Sequence, residues 1–200
     1  GTPVDAYNSA NPGAADGGSV NTNNSRINIA ANAKPANSVG VNSIVVGYQN
    51  TTDDNDGTTA LGANNQARGN SGLAVGNENY ANGGAATAIG AGNEARAAAT
   101  VALGNKNNAN ATSAVAIGNY NNQNYTKGST TTTPKQAGNY STAVGSYNAA
   151  LGDNSVSVGA MNTSHVADTV TIGQNNEAKT MGGISIGKNN LTDSTNGGTN

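Results

Sequence analysis

Thr58-Thr59-Ala60-Leu61-Gly62-Ala63-Asn64-Asn65-Gln66-Ala67-Arg68-Gly69 is the stretch that decides the fold, because its residue types return in phase along the chain. Gly62, Gly76, Gly90, Gly104 and Gly118 stand fourteen residues apart. An aliphatic residue precedes each one: Leu61, Val75, Ile89, Leu103 and Ile117. Two before each is alanine, and three after each is asparagine: Asn65, Asn79, Asn93, Asn107 and Asn121. A fixed period with fixed residue types at fixed phase is the signature of a solenoid, each repeat one coil stacked on the last.

The register extends both ways. Gly47, between Val46 and Asn50, lies fifteen before Gly62, so its acidic turn through Asp53, Asp54 and Asp56 holds one extra residue. Gly145, Gly159, Gly173 and Gly187 resume the spacing, with Asn148, Asn162, Asn176 and Asn190 three after. Gly118 to Gly145 is twenty-seven, one period plus a thirteen-residue insertion over about 124–136. Regular coils therefore run from about 43 to 190 within a roll spanning 27–200. Residues 1–26 show no register and are expected to be an irregular segment or cap. Ile27-Asn28-Ile29 and Ser38-Val39-Gly40-Val41 read as strands of degenerate coils.

Composition supports this reading and removes others. The 200 residues contain no Trp, Phe or Cys, and only 34% are apolar, many of them alanine. A closed globular core built from so little bulk would be weak. Disorder normally comes with high net charge and no period, whereas the formal charge is −2 and the period strict. That charge leaves no basic footprint for nucleic acid. No run approaches the eighteen or so apolar residues of a membrane helix. No signal peptide stands at Gly1, which implies either a cytosolic chain or a piece of a longer exported one.

Within a coil the residues before the glycine alternate at period two, so they form a strand with two faces. The glycine makes a corner that other residues could not make cheaply. A second short strand carries a small residue five after the glycine (Ala67, Ala81, Ala95, Ala109, Ala150, Ala178), and Gly69, Gly83 and Gly152 mark the second corner. The fold class is thus all-β, a parallel β-roll of fourteen-residue coils. Stacking places equivalent asparagines about 4.8 Å apart, within reach of one another as a structural ladder. Neither strand face carries a polar column: one is aliphatic, the other Ala, Ser, Thr and Gly. A thin roll has one interior, so the second face must be covered by something else, and identical chains in a closed ring would do this. Wherever the aliphatic column points, it is expected to be buried, so that Ile89→Asp would be costly and an unaffected variant would count against the roll itself.

The motif Ser/Thr-x-Ala-Val/Ile/Leu-Gly-x-x-Asn-x-Ala-x-Gly resembles the head repeat of the YadA-like trimeric autotransporter adhesins, over nearly three quarters of the chain. The resemblance implies a left-handed parallel β-roll, a homotrimer, and display on the outer membrane of a Gram-negative bacterium through a C-terminal anchor absent from this sequence. It further implies adhesion to host cells, to matrix proteins such as collagen, fibronectin or laminin, or to like heads, with no catalysis and no cofactor.

Candidate ligand contacts lie two after the glycine, where the column is polar and variable and so faces outward. Tyr120, Tyr147 and Met161 fall there on three consecutive coils, and tyrosine buries interface area at low entropic cost. Tyrosines at a strand edge also simply pack on neighbours. Tyr125, Lys127 and Lys135 belong to the insertion, and loops on rigid scaffolds often carry function. The only histidine, His165, occupies a variable outward column shared with Arg68, Arg96, Asn110 and Lys179. No base partners a nucleophile, and no phosphate loop or zinc spacing is present. Asp53, Asp54 and Asp56 could hold calcium in a tight turn, but no calcium-binding repeat surrounds them. A surface- or ice-binding solenoid is the alternative, and it would need a regular threonine ladder where Thr59, Thr87 and Thr142 recur only sparsely.

Overall fold

The computed structural model describes residues 18–21, 26–30, 42–52, 55–124 and 133–193, all without helix. Each regular coil holds a five-residue strand and, after the glycine corner, a two-residue strand, as in Thr87–Ala91 and Glu94–Ala95, except that the first has only a bridge from Thr51 to Gln66. The long strands stack in parallel with glycine opposite glycine: Gly76 against Gly90, Gly90 against Gly104, Gly104 against Gly118. Among the described residues they form one sheet from Gly18–Asn21 to Ile184–Lys188. Short strands form two separate sheets, Gln66–Ala67 to Asn108–Ala109 and Ala149–Ala150 to Leu191–Thr192.

The corner explains the invariant glycine twice over. Gly90 has φ of 122°, which side-chain-bearing residues rarely adopt. A Cβ there would also lie 1.9 Å from the carbonyl oxygen of Gly104 in the next coil. Only a hydrogen atom fits between the stacked backbones.

Inside, the roll is thin. The alanines two before and five after the glycine meet across it, fully buried from Ala60 and Ala67 to Ala116. The largest fully buried side chains are Val45, Thr52 and the asparagines. Toward the C-terminal end the alanines give way to Ser157, Thr171 and, on the facing strand, Ser164. These hydroxyls satisfy one another, with Ser157 Oγ 2.9 Å from Thr171 Oγ1 and donating to the Ala149 carbonyl at 3.0 Å.

With so little apolar volume, much of the cohesion is polar. Asn93 Nδ2 donates to Asn79 Oδ1 of the coil before, to the Ile89 carbonyl of its own coil, and to the Gly104 carbonyl of the coil after. Its Oδ1 accepts from the backbone N–H and from Nδ2 of Asn107. The same pattern repeats from Asn65 to Asn176, so a buried hydrogen-bonded ladder runs along the roll.

Two expectations change on contact with the structure, and the insertion adds a third finding. The aliphatic column is not buried within one chain. Because the alanine column faces in, both flanking columns face out, and Ile89 keeps 36% and Ile186 61% of its surface exposed. An unaffected Ile89→Asp in an isolated chain would therefore not argue against the roll. Second, the segment 1–26 is not wholly irregular: Gly18–Asn21 is a strand, paired antiparallel with Arg26–Ala30, which joins the parallel stack beside Ile44–Tyr48. The strand read at 38–41 lies outside the described residues. Third, the insertion begins as a small antiparallel ladder, Gln123–Asn124 with Thr133–Pro134, that splits the short-strand sheet while Val115–Asn119 still pairs directly with Thr142–Ser146.

Asn122 repairs the break. In a regular coil the N–H five after the glycine donates to the previous coil's carbonyl four after its own, as Ala67 does to Thr51 at 2.8 Å. Ala150 donates instead to Asn122 Oδ1 at 2.9 Å, and Asn122 Nδ2 donates to the Asn108 carbonyl at 2.9 Å. One buried carboxamide thus stands in for the peptide group that the departing chain takes away. Nothing in the sequence separates Asn122 from its many asparagine neighbours.

Candidate binding surface

A coil presents three outward surfaces, and the residues sort onto them by strand alternation. The long strand shows its aliphatic columns, three before and one before the glycine: Ile44 and Val46, Leu73 and Val75, Val101 and Leu103, Val156 and Val158. They make an apolar band along the sheet from Ile44–Tyr48 to Ile184–Lys188. The threonines Thr59, Thr87 and Thr142 in this band never pair with another threonine. The regular hydroxyl ladder of an ice-binding face is not formed.

The second surface is the corner two after the glycine, where every coil is left-handed, from Gln49 (φ 51°) to Asn189 (φ 59°). Tyr120, Tyr147 and Met161 stand on successive coils here. The Tyr120 and Tyr147 rings stack, with centroids 5.2 Å apart and planes 12° from parallel. Lys106 Nζ sits 5.4 Å from the Tyr120 ring centroid, an ammonium over a π face. Met161 is 46% exposed. The tyrosines therefore pack on neighbours and still form part of an outward ridge.

The short strand makes the third surface, which is polar. Glu94 pairs with Arg96 at 2.9 Å, and the guanidinium lies 5.5 Å from the Tyr80 ring centroid. His165 Nε2 lies 2.6 Å from Glu177 Oε1, and Lys179 Nζ lies 3.2 Å from the same oxygen. Partial burial pushes the Glu177 carboxyl up, but hydrogen bonds from His165 and Lys179 outweigh it and hold the group below the usual carboxylate range. His165 is thus engaged with a carboxylate on an exposed face. Lys135 is half-buried beside Asn122, whose carbonyl accepts its N–H at 2.8 Å. Tyr125, Lys127, Asp53 and Asp54 lie outside the described residues. Among the described residues no group of three or more His, Cys, Asp or Glu is placed to hold a metal ion.

Chemically, these surfaces are suited to binding. A family model for the YadA head domain repeat matches residues 38–65, 54–79, 95–121 and 137–160. The unmatched segment between the last two coincides with the insertion, and the same coil continues to residue 193. No curated protein matches significantly. Head repeats of this family belong to surface-exposed adhesins, a non-enzymatic class.

Proposed function

Since the chain belongs to the YadA head family, we propose that it is the trimeric, left-handed head of an adhesin displayed on a Gram-negative outer membrane. Three rolls pack their apolar bands around one axis and turn their corners and polar strands outward. The observation that carries this reading is the pair of aliphatic columns left uncovered over ten coils, Ile44 to Ile186. A soluble chain exposing a continuous band of that kind is expected to cover it with a partner, and a closed ring of identical chains does so with one repeated interface. The outward surfaces then contact the host, with matrix proteins such as collagen, fibronectin or laminin as ligands.

Light scattering on the purified chain tests the assembly, with a mass of three 19.6 kDa chains expected. Ile89→Asp places a charge in the band. In a trimer it should lower the melting temperature and reduce the mass toward the monomer, because desolvating an unpaired carboxylate costs several kcal/mol. Glu78→Ala, at an outward corner, should leave both unchanged within about 0.5 kcal/mol. A monomeric parent, or equal behaviour of Ile89→Asp and the parent, sinks the trimer. Adhesion to immobilised matrix proteins, compared with an albumin-coated surface, tests the ligand class.

A further inference from the structure

One stretch of the outward surface differs from the rest in charge and side-chain order. From Ala95 to Gly152 the sequence holds four basic residues and no Asp or Glu. The remainder holds five basic and eleven acidic residues, so charge is segregated within a chain of net −2. Of the four, Arg96 is bridged to Glu94, and Lys127 lies outside the described residues. Lys106 and Lys135 take part in no ion pair among the described residues.

The left-handed corners in the same place carry large side chains. Glycine and asparagine take left-handed corners at least cost, and Asn64, Gly92, Asn175 and Asn189 do so here. Lys106 (φ 49°), Tyr120 (φ 53°), Tyr147 (φ 57°) and Met161 (φ 58°) adopt that conformation with bulky side chains on four consecutive coils. Because every coil is left-handed here, Gln49 and Glu78 included, it is the side chains and not the backbone that set these coils apart. They form an ordered ridge: ammonium on ring, ring on ring. Lys135 adjoins it through the main-chain carbonyl of Asn122, and the Asn108 side chain donates to the Lys135 carbonyl at 3.0 Å.

We propose that this ridge binds an anionic polysaccharide lying along the roll axis, a reading that deepens the adhesin assignment and rests on it for the outward orientation of the corners. The side chains rise in steps of about 4.8 Å over four coils, which suits an extended, repeating ligand. Lysine ammonium groups meet its carboxylates or sulfates as point charges. Each tyrosine has one face covered by the other ring, and Lys106 lies over the Tyr120 ring, so the stack offers little open aromatic face. Nucleic acid would instead need free aromatic faces on which to stack bases.

Heparin, a sulfated polysaccharide, serves as the probe, with uncharged dextran and single-stranded DNA as comparators. The parent should bind heparin at low ionic strength and weaken as salt is added. Tyr120→Asn with Tyr147→Asn, asparagine being suited to the left-handed corner, should reduce heparin binding at least tenfold without lowering the melting temperature. Lys106→Gln should act in the same direction. Undiminished binding by these variants, or parent binding to dextran or DNA as tight as to heparin, overturns the proposal. A trimer with no heparin preference removes the ridge and leaves the head reading intact. A monomer that binds heparin through these residues removes the trimer and leaves the ridge.

Discussion

Replacing Asn93 by alanine tests whether the polar ladder is a main source of cohesion. The change deletes five hydrogen bonds of 2.7–3.1 Å: three donated by Nδ2 and two accepted by Oδ1. Asn79 Oδ1 keeps its bond from the Asn93 backbone N–H, and Asn107 Nδ2 keeps Leu103 and Gly118 as acceptors. The backbone N–H of Asn107 loses the acceptor it has now, inside a layer with no room for bulk water. At about 0.5–1.5 kcal/mol net per bond, with about 1–3 kcal/mol for the buried N–H left unpaired, the loss should be about 4–10 kcal/mol. Asn190, at the exposed end of the ladder, supplies the control. Among the described residues its side chain donates to the Ile186 carbonyl alone. Asn190→Ala should therefore cost below about 1.5 kcal/mol. Urea denaturation followed by circular dichroism, at matched protein concentration, compares the two. Equal losses would refute the ladder argument.

The aspartate variant at the same site sharpens the point through pH. In Asn93→Asp the carboxylate would face Asn79 Oδ1 and two carbonyls, so its folded pKa should rise above the ordinary value near 3.9. The variant should be most stable below that value and lose stability as pH rises through the folded pKa. A pH-independent deficit would mean that the three acceptors do not surround the site.

Gly90→Ala should cost several kcal/mol or abolish folding, since its Cβ would meet the Gly104 carbonyl at 1.9 Å. Gly84→Ala, whose Cβ would meet nothing within 4 Å, should stay within about 0.5 kcal/mol of the parent, and thermal melts of the two decide the matter. Asn122→Ala removes the carboxamide that spans the insertion and strands the Ala150 N–H, for a loss of about 2–4 kcal/mol. Proteolysis mapped by mass spectrometry should then show cleavage opening near residue 122 first, and cleavage spread evenly along the chain would contradict this. Glu177 has a lowered folded pKa, so its contribution is present above the ordinary value near 4.3 and is lost as pH falls through the folded value. The acid limb of the stability profile should be flatter in Glu177→Gln, and an identical limb would show that the contacts with His165 and Lys179 are without consequence.

The repeat made the coil legible in the sequence. Glycine, asparagine and aliphatic residues at fixed phase determined the parallel stack, the corner at Gly90, the alternation in Thr87–Ala91 and the asparagine ladder, because stacking forces equivalent residues into equivalent surroundings. Alternation by itself shows that a strand has two faces and is silent on which is inside. Only the tertiary structure decided that, and it did so by volume: two short-spaced strands leave a gap that alanine fills and isoleucine does not, which turns Ile89 outward. The same limit applies wherever the period breaks. Asn122 looks like every other asparagine until the chain departs beside it, and Tyr120 stacks on Tyr147 because the coils on either side of the insertion still pair directly. Periodicity carries what all coils share, whereas the contacts that make one coil unlike the next depend on which side chains meet across the stack.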